Sequence, residues 1–119
     1  MVDNKDHTTL FEGWGIGRNG YGGGSKNHAW SGCGLTILAQ YVCGLYPLEP
    51  AWKKFMVKPD LAGLEFAETG NGTLAGKVSV KITKTKSGMD IKLSVPDGSE
   101  ALVYIPIKEK TVIINGQKV

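Results

Sequence analysis

Apolar positions along the chain follow two different periods, and the change between them falls near residue 50. Trp30, Cys33, Ile37, Leu38, Tyr41 and Leu45 recur at spacings of three and four, the period of a helix with one covered face. The pattern predicts a helix over 27–44, with Ser25 or Asn27 as N-cap, Gly44 as a left-handed C-terminal cap and Pro47 as a stop. Gly32 and Gly34 inside it cost about 1 kcal/mol each relative to alanine. That cost makes sense where another helix or a ligand comes close.

From Phe55 onward the period is two. Val78, Val80 and Ile82 alternate with polar residues, and so do Met89, Ile91, Leu93 and Val95. Further strands are predicted over 55–58, 64–68, 73–75, 101–105 and 111–114, with turns at 84–88 and at Pro96-Asp97-Gly98-Ser99. Asn115-Gly116 is the dipeptide that best closes a tight hairpin. Short strands at near-regular spacing build an antiparallel sandwich. The expected fold is therefore mainly β: an antiparallel β-sandwich preceded by one α-helix and a Gly-rich loop. The loop is the stretch from Gly13 to Gly24, where seven of twelve residues are glycine. Such a run cannot hold a helix or strand alone, because each glycine gives up the most backbone entropy on ordering.

Composition narrows the functional classes. At 119 residues, with 41% hydrophobic and 21% charged positions, the chain has ordinary globular usage and room for one core. Its net charge is +3, and Lys77, Lys81, Lys84, Lys86 and Lys92 are spread along the strands as the wet face of a sheet. A nucleic-acid surface would cluster its cations with aromatics, so none is expected. Cys33 and Cys43 sit ten residues, ~15 Å of helical rise, apart, too far to bridge each other. They are expected as free, mostly buried thiols, a mild sign of a reducing compartment. Residues 1–9 are polar with no apolar leader core, and no stretch approaches 18 apolar residues, so no membrane contact is expected. Cytoplasm and periplasm both stay open.

Several motifs fail on context. Gly15-Ile16-Gly17-Arg18-Asn19-Gly20 spells GxGxxG, but no strand precedes it and more glycines stand where a helix must open. Gly22-Gly23-Gly24-Ser25-Lys26 has the wrong order for a phosphate loop. Asn71-Gly72-Thr73 reads as a turn rather than a glycosylation site. His7 and His28 are too few and too isolated for a metal site, and no cofactor is expected. Two places carry candidate chemistry. Glu12, flanked by Phe11 and Trp14, is either a carboxylate under a sugar ring or a surface acid near a terminus. Asn27 and His28, beside Trp30, are either a sugar-binding polar pair or a local helix cap.

The string Thr8-Thr9-Leu10-Phe11-Glu12-Gly13-Trp14, a Gly-rich loop, then Ser25-Lys26-Asn27-His28 resembles bacterial α-L-rhamnosidases of glycoside hydrolase family 78. The likeness continues through Gly44-Leu45-Tyr46-Pro47-Leu48-Glu49-Pro50, Trp52-Lys53-Lys54-Phe55 and Val57-Lys58-Pro59. It resumes in Leu64-Glu65-Phe66-Ala67, Gly76-Lys77-Val78 and Val112-Ile113-Ile114-Asn115-Gly116, so it covers nearly the whole chain. The family implies an (α/α)6-barrel catalytic domain followed by a small β-sandwich. By that resemblance residues 1–50 are the end of the barrel and 51–119 the sandwich. It implies inverting hydrolysis of terminal α-linked L-rhamnose, with Glu12 at the position of the general base. His28, Trp14, Asn27 and Trp30 then become sugar-binding residues. Phe11 stands where the family has Trp, and Gly13 where it has Arg, which removes a cation beside Glu12.

The resemblance also implies a missing half. An inverting glycosidase needs a general acid ~6.5–9.5 Å from its base, and in the family that acid comes from upstream of this stretch. The expected partners are thus a rhamnose-containing glycan and the remainder of the barrel, with negligible hydrolysis from this chain alone. The alternative is a carbohydrate-binding or structural sandwich module in which Trp14, Trp30 and Trp52 offer stacking faces. In either case the Trp30, Ile37, Tyr41 and Leu45 face must be covered by the sandwich or left as an apolar patch that promotes self-association.

Overall fold

The computed structural model describes residues 9–13, 24–105 and 111–118. One continuous helical segment replaces the predicted uniform helix. It opens as a 3-10 turn at Ala29–Gly32, passes through a short α-helix, α1, at Cys33–Ile37, and widens into a π turn at Leu38–Val42. The π turn shows directly in the Cys43 N–H, which donates to the Leu38 carbonyl five residues back, at 3.0 Å. The N-cap is His28, in extended conformation and with no side-chain cap bond, rather than Ser25 or Asn27. Ser25 is engaged elsewhere, as described below. No residue of the segment from Ala29 to Val42 is buried.

Gly44 ends the segment as predicted, at φ +68. Its carbonyl accepts the Lys58 N–H at 3.0 Å, and an added Cβ would meet the Lys58 carbonyl oxygen at 2.0 Å. Only glycine fits this crossing of two backbones.

Eight strands follow: β1 Leu45–Pro47, β2 Lys54–Val57, β3 Phe66–Thr73, β4 Gly76–Thr85, β5 Gly88–Ser94, β6 Glu100–Val103, β7 Ile113–Ile114 and β8 Gln117–Lys118. One sheet has the order β1-β2-β6 and a second the order β3-β4-β5. The second is a plain antiparallel meander, with two-residue turns at Leu74-Ala75 and Lys86-Ser87. In the first, β1 pairs antiparallel with β2, but β2 and β6 run parallel, Phe55 opposite Ala101. The chain passes through the whole meander between these two strands, so β6 re-enters from the far end. β7 and β8 form the small hairpin closed by Asn115 and Gly116, both at positive φ.

The two main sheets share one core. Leu45, Phe55 and Val57 from the first meet Val78, Val80 and Ile82 from β4, with Cys43 and Leu61 closing the end. All of these are nearly inaccessible to solvent; for Val78, Val80 and Ile82 the alternation that predicts them is the one that buries them, whereas Leu45, expected on the helical face, lies in β1. The five lysines named above are exposed, and Lys81 and Lys84 pair with Glu68 and Glu65 across β3 and β4. Cys43 and Cys33 are both free, but only Cys43 is buried; Cys33 is exposed, contrary to expectation, because its helical face finds nothing to pack on. Among the described residues no helix is long and apolar enough to cross a membrane.

Candidate functional site

Residues 9–13 lie against residues 25–28, held as a short clamp by backbone hydrogen bonds. The Glu12 N–H donates to the Ser25 carbonyl at 3.0 Å, and the His28 N–H donates to the Leu10 carbonyl at 2.9 Å. Thr9 Oγ1 donates to the Lys26 carbonyl, and Ser31 Oγ to the Phe11 carbonyl at 2.6 Å. Phe11 is buried and anchors the clamp.

This arrangement brings Glu12 and His28 together across sixteen positions of sequence. Glu12 Oε2 accepts the Ser25 backbone N–H at 2.7 Å and lies 3.4 Å from Ser25 Oγ. Ser25 Oγ is 2.8 Å from His28 Nδ1, and that nitrogen is itself 3.5 Å from Glu12 Oε2. The Glu12 and His28 side chains are 31% and 35% exposed, so the cluster is shielded yet open on one side. Trp30 lies against the His28 ring, centroids 4.4 Å apart and planes tilted by 43°, and leaves most of its own surface to solvent. Glu12 Oε1 and His28 Nε2 have no hydrogen-bond partner among the described residues. A carboxylate oxygen, an imidazole nitrogen and an indole face thus converge on one open corner. Such a set can take a proton from water, bind a hydroxyl and stack on an apolar ring face.

Of the residues singled out from sequence, Glu12, His28 and Trp30 meet here. Asn27 is exposed and contributes its carbonyl, 3.4 Å from Ser25 Oγ. Trp14 lies outside the described residues, as does the glycine run 14–23. Ser25 is the member that sequence reasoning missed. The sequence pattern offers it as a helix cap, whereas its hydroxyl lies 2.8 Å from His28 Nδ1. Trp52 is elsewhere, half-buried and packed against Phe55, centroids 5.9 Å apart and planes tilted by 57°. Among the described residues no cluster of three or more His, Cys, Asp or Glu side chains forms. Two open grooves run beside the helical segment. The larger, about 540 Å³, is bounded by Leu35, Leu38, Trp52 and Asn71, and the smaller by Tyr41, Tyr46 and Asp60. Neither is lined by Glu12 or His28.

A helical segment with no buried residue leads into a two-sheet β domain with its own core, a β-sandwich module. The family model described as "Bacterial alpha-L-rhamnosidase C-terminal domain" matches residues 44–119, and the chain belongs to that family. It is 32% identical to an alpha-L-rhamnosidase of Alteromonas sp. (strain LOR) over 92% of its own length and 12% of that protein. It also resembles the solved structure of alpha-L-rhamnosidase from Dictyoglumus thermophilum, with TM-score 0.67, 28% identity, and coverage of 76% of this chain and 10% of that one. Similarity to the Streptomyces avermitilis alpha-L-rhamnosidase complexed with L-rhamnose gives TM-score 0.71 and 26% identity, over 88% of this chain and 11% of that one. The chain therefore spans about a tenth of the relatives it matches.

Proposed function

We propose that the chain supplies one wall of the sugar site of an α-L-rhamnosidase-like glycoside hydrolase, together with its accessory sandwich, and does not hydrolyse glycosides alone. Residues 1–50 are then the end of a helical barrel and residues 51–119 the sandwich, with β1 reaching across to join the sandwich sheet. The observation that carries this reading is the Glu12–Ser25–His28 corner beside the open face of Trp30. In it Glu12 is the general base that draws a proton from the attacking water through Oε1. His28 and Asn27 hold sugar hydroxyls, and Trp30, with Trp14, contacts the ring. The substrate is a terminal L-rhamnose, and the rest of the barrel is the partner that completes the enclosure.

The reading of inactivity rests on the missing acid. Inverting hydrolysis needs a second carboxyl ~6.5–9.5 Å from the base. Among the described residues Glu65, Glu68 and Glu100 are engaged with Lys84, Lys81 and Lys54 on the sandwich. Asp60 Oδ1 accepts the Ala62 N–H at 3.0 Å. Glu49 follows the far end of the helical segment, ~20 Å along its axis. A purely carbohydrate-binding sandwich finds less support, because Trp52 turns its ring into the core.

Titration of the ¹⁵N-labelled chain with L-rhamnose tests the wall. Saturable amide shifts at Glu12, Ser25, His28 and Trp30 are expected, with the sandwich strands unmoved. A chromogenic α-L-rhamnoside should show no turnover. A titration without shifts removes the sugar wall, and measurable hydrolysis by this chain alone removes the requirement for the rest of the barrel.

A further inference from the structure

The Glu12–Ser25–His28 corner has more acceptors than protons, and that shortage decides which nitrogen of His28 carries its hydrogen. Ser25 Oγ has a single proton and three neighbours: His28 Nδ1 at 2.8 Å, Glu12 Oε2 at 3.4 Å and the Asn27 carbonyl at 3.4 Å. Two arrangements are available to neutral imidazole. With the proton on Nε2, Nδ1 is a bare lone pair and must draw the serine proton to itself. That leaves Glu12 Oε2 facing the Nδ1 lone pair at 3.5 Å and the Ser25 oxygen lone pairs at 3.4 Å. Both contacts are then electron-rich against electron-rich, in a corner about two-thirds shielded from water.

With the proton on Nδ1 the signs reverse. Nδ1–H donates to Ser25 Oγ, whose own proton is freed to point at Glu12 Oε2, and the carboxylate faces two donors in place of two acceptors. The Ser25 backbone N–H already binds the same carboxylate oxygen at 2.7 Å and fixes it in place. Trp30 packs on the imidazole face and holds the ring plane.

We propose that Glu12 and Ser25 lock His28 in its Nδ1–H form, so that the outward Nε2 lone pair accepts a hydrogen bond from a hydroxyl of the ligand. Ser25 is thereby a positioning residue, and His28 a selector for a hydroxyl donor at one place on the sugar. A ligand lacking that hydroxyl leaves Nε2 unpaired against it. The ligand half of this inference rests on the sugar-wall reading; the tautomer half does not.

The test is a long-range ¹H–¹⁵N correlation of the imidazole nitrogens in the full 119-residue chain, recorded on neutral imidazole rings at alkaline pH. A His7→Gln variant assigns the signals. The wild-type chain should show a protonated, pyrrole-like Nδ1 and a bare, pyridine-like Nε2. Glu12→Ala should release the serine proton to Nδ1 and return His28 to the Nε2–H form. A wild-type Nε2–H signature overturns the inference without recourse to any variant, and so does a tautomer unchanged in Glu12→Ala. Adding L-rhamnose to the wild-type sample separates the two halves. An upfield move of Nε2 supports the acceptor role, and amide shifts with Nε2 unmoved overturn that role alone. An Nδ1–H tautomer with no shift anywhere overturns the sugar wall and the acceptor role with it.

Discussion

Gly44 is the joint on which the helical segment turns into the sandwich, and replacing it with alanine separates two costs that other glycines confound. The first is conformational. At φ +68 an L-residue pays about 1–2 kcal/mol that glycine does not. The second is steric. The new Cβ would lie 2.0 Å from the Lys58 carbonyl oxygen, 2.1 Å from its carbon and 2.6 Å from its nitrogen, where contact normally begins at 3.4 Å. These are backbone atoms, so no rotamer change relieves them. The crossing must open, and the hydrogen bond between Lys58 N–H and the Gly44 carbonyl opens with it. Overpacking of this kind adds about 1–3 kcal/mol, and a lost buried backbone bond about 1 kcal/mol more. Gly44→Ala is thus expected to cost about 3–6 kcal/mol, a large share of the ~5–15 kcal/mol that holds a domain together. Gly98 supplies the control: its φ is +78, but an added Cβ meets nothing within 4 Å. Gly98→Ala should cost about 1–2 kcal/mol only. Urea unfolding followed by tryptophan fluorescence gives both numbers. A difference under about 1 kcal/mol between the two variants would refute the argument that backbone crossing, rather than helical geometry, demands Gly44.

Two further outcomes follow from the thiols and from the bare helical face. Burial, with a smaller contribution from Glu68, pushes the Cys43 thiol above its usual value of 9.0, so folding favours the protonated form. Its contribution to stability is then full below the unfolded value and is lost as pH rises past it. Between about pH 8 and about pH 10, wild type should lose more stability than Cys43→Ala in paired urea melts; equal slopes would exclude the effect. Trp30, Leu35 and Tyr41 are 63%, 72% and 69% exposed, with Ile37 and Leu38 about half exposed beside them. These exposed apolar side chains should drive concentration-dependent self-association in sedimentation, weakened at least ~10-fold, about 1.4 kcal/mol, by Leu35→Ser with Tyr41→Ser. A monomer at all concentrations would show that this face is not sticky.

Legibility in the sequence differed sharply between the two halves. β4 and β5 could be read because their alternation is satisfied within the chain: Val78, Val80 and Ile82 find Phe55 and Val57 opposite. The Asn115-Gly116 hairpin needs only its own turn chemistry. The parallel partnership of β2 with β6 could not be read, since nothing local to Phe55 specifies Ala101 across an intervening meander. Over the helix, the period of three and four gave the element but neither its geometry nor its start. Winding changes from 3-10 to α to π over fourteen residues, from Ala29 to Val42, with no burial to enforce one form. At the corner, Glu12 and His28 were legible through resemblance to a known family. Ser25 was not, because its partners are set by pairing of residues 10–12 with 25–28 through a loop that carries no pairing signal of its own.

That contrast is itself an argument about what the helical segment is for. A sequence that places Trp30, Ile37, Leu38 and Tyr41 at helical spacing is written for a face that something covers. The sandwich covers only the end of it, at Cys43 and Leu45. Gly32 and Gly34 sharpen the point: a Cβ at either would meet nothing within 4 Å, so their backbone cost has no return inside this structure. Both glycines lie on the same short stretch as Trp30 and Cys33, one turn beyond His28. Gly32, four residues after His28, is the one on the His28 side, and a neighbour close enough to require it would stand beside the Glu12–His28 corner. On the proposed function, a neighbour seated at Gly32 would also complete the site. The prediction is specific: Gly32→Leu should leave the urea stability of this chain nearly unchanged, within about 1 kcal/mol, yet block any activity restored by supplying the upstream helices in trans. Destabilisation well beyond that amount would mean the glycine serves this chain's own packing, and retained activity would mean that nothing approaches there.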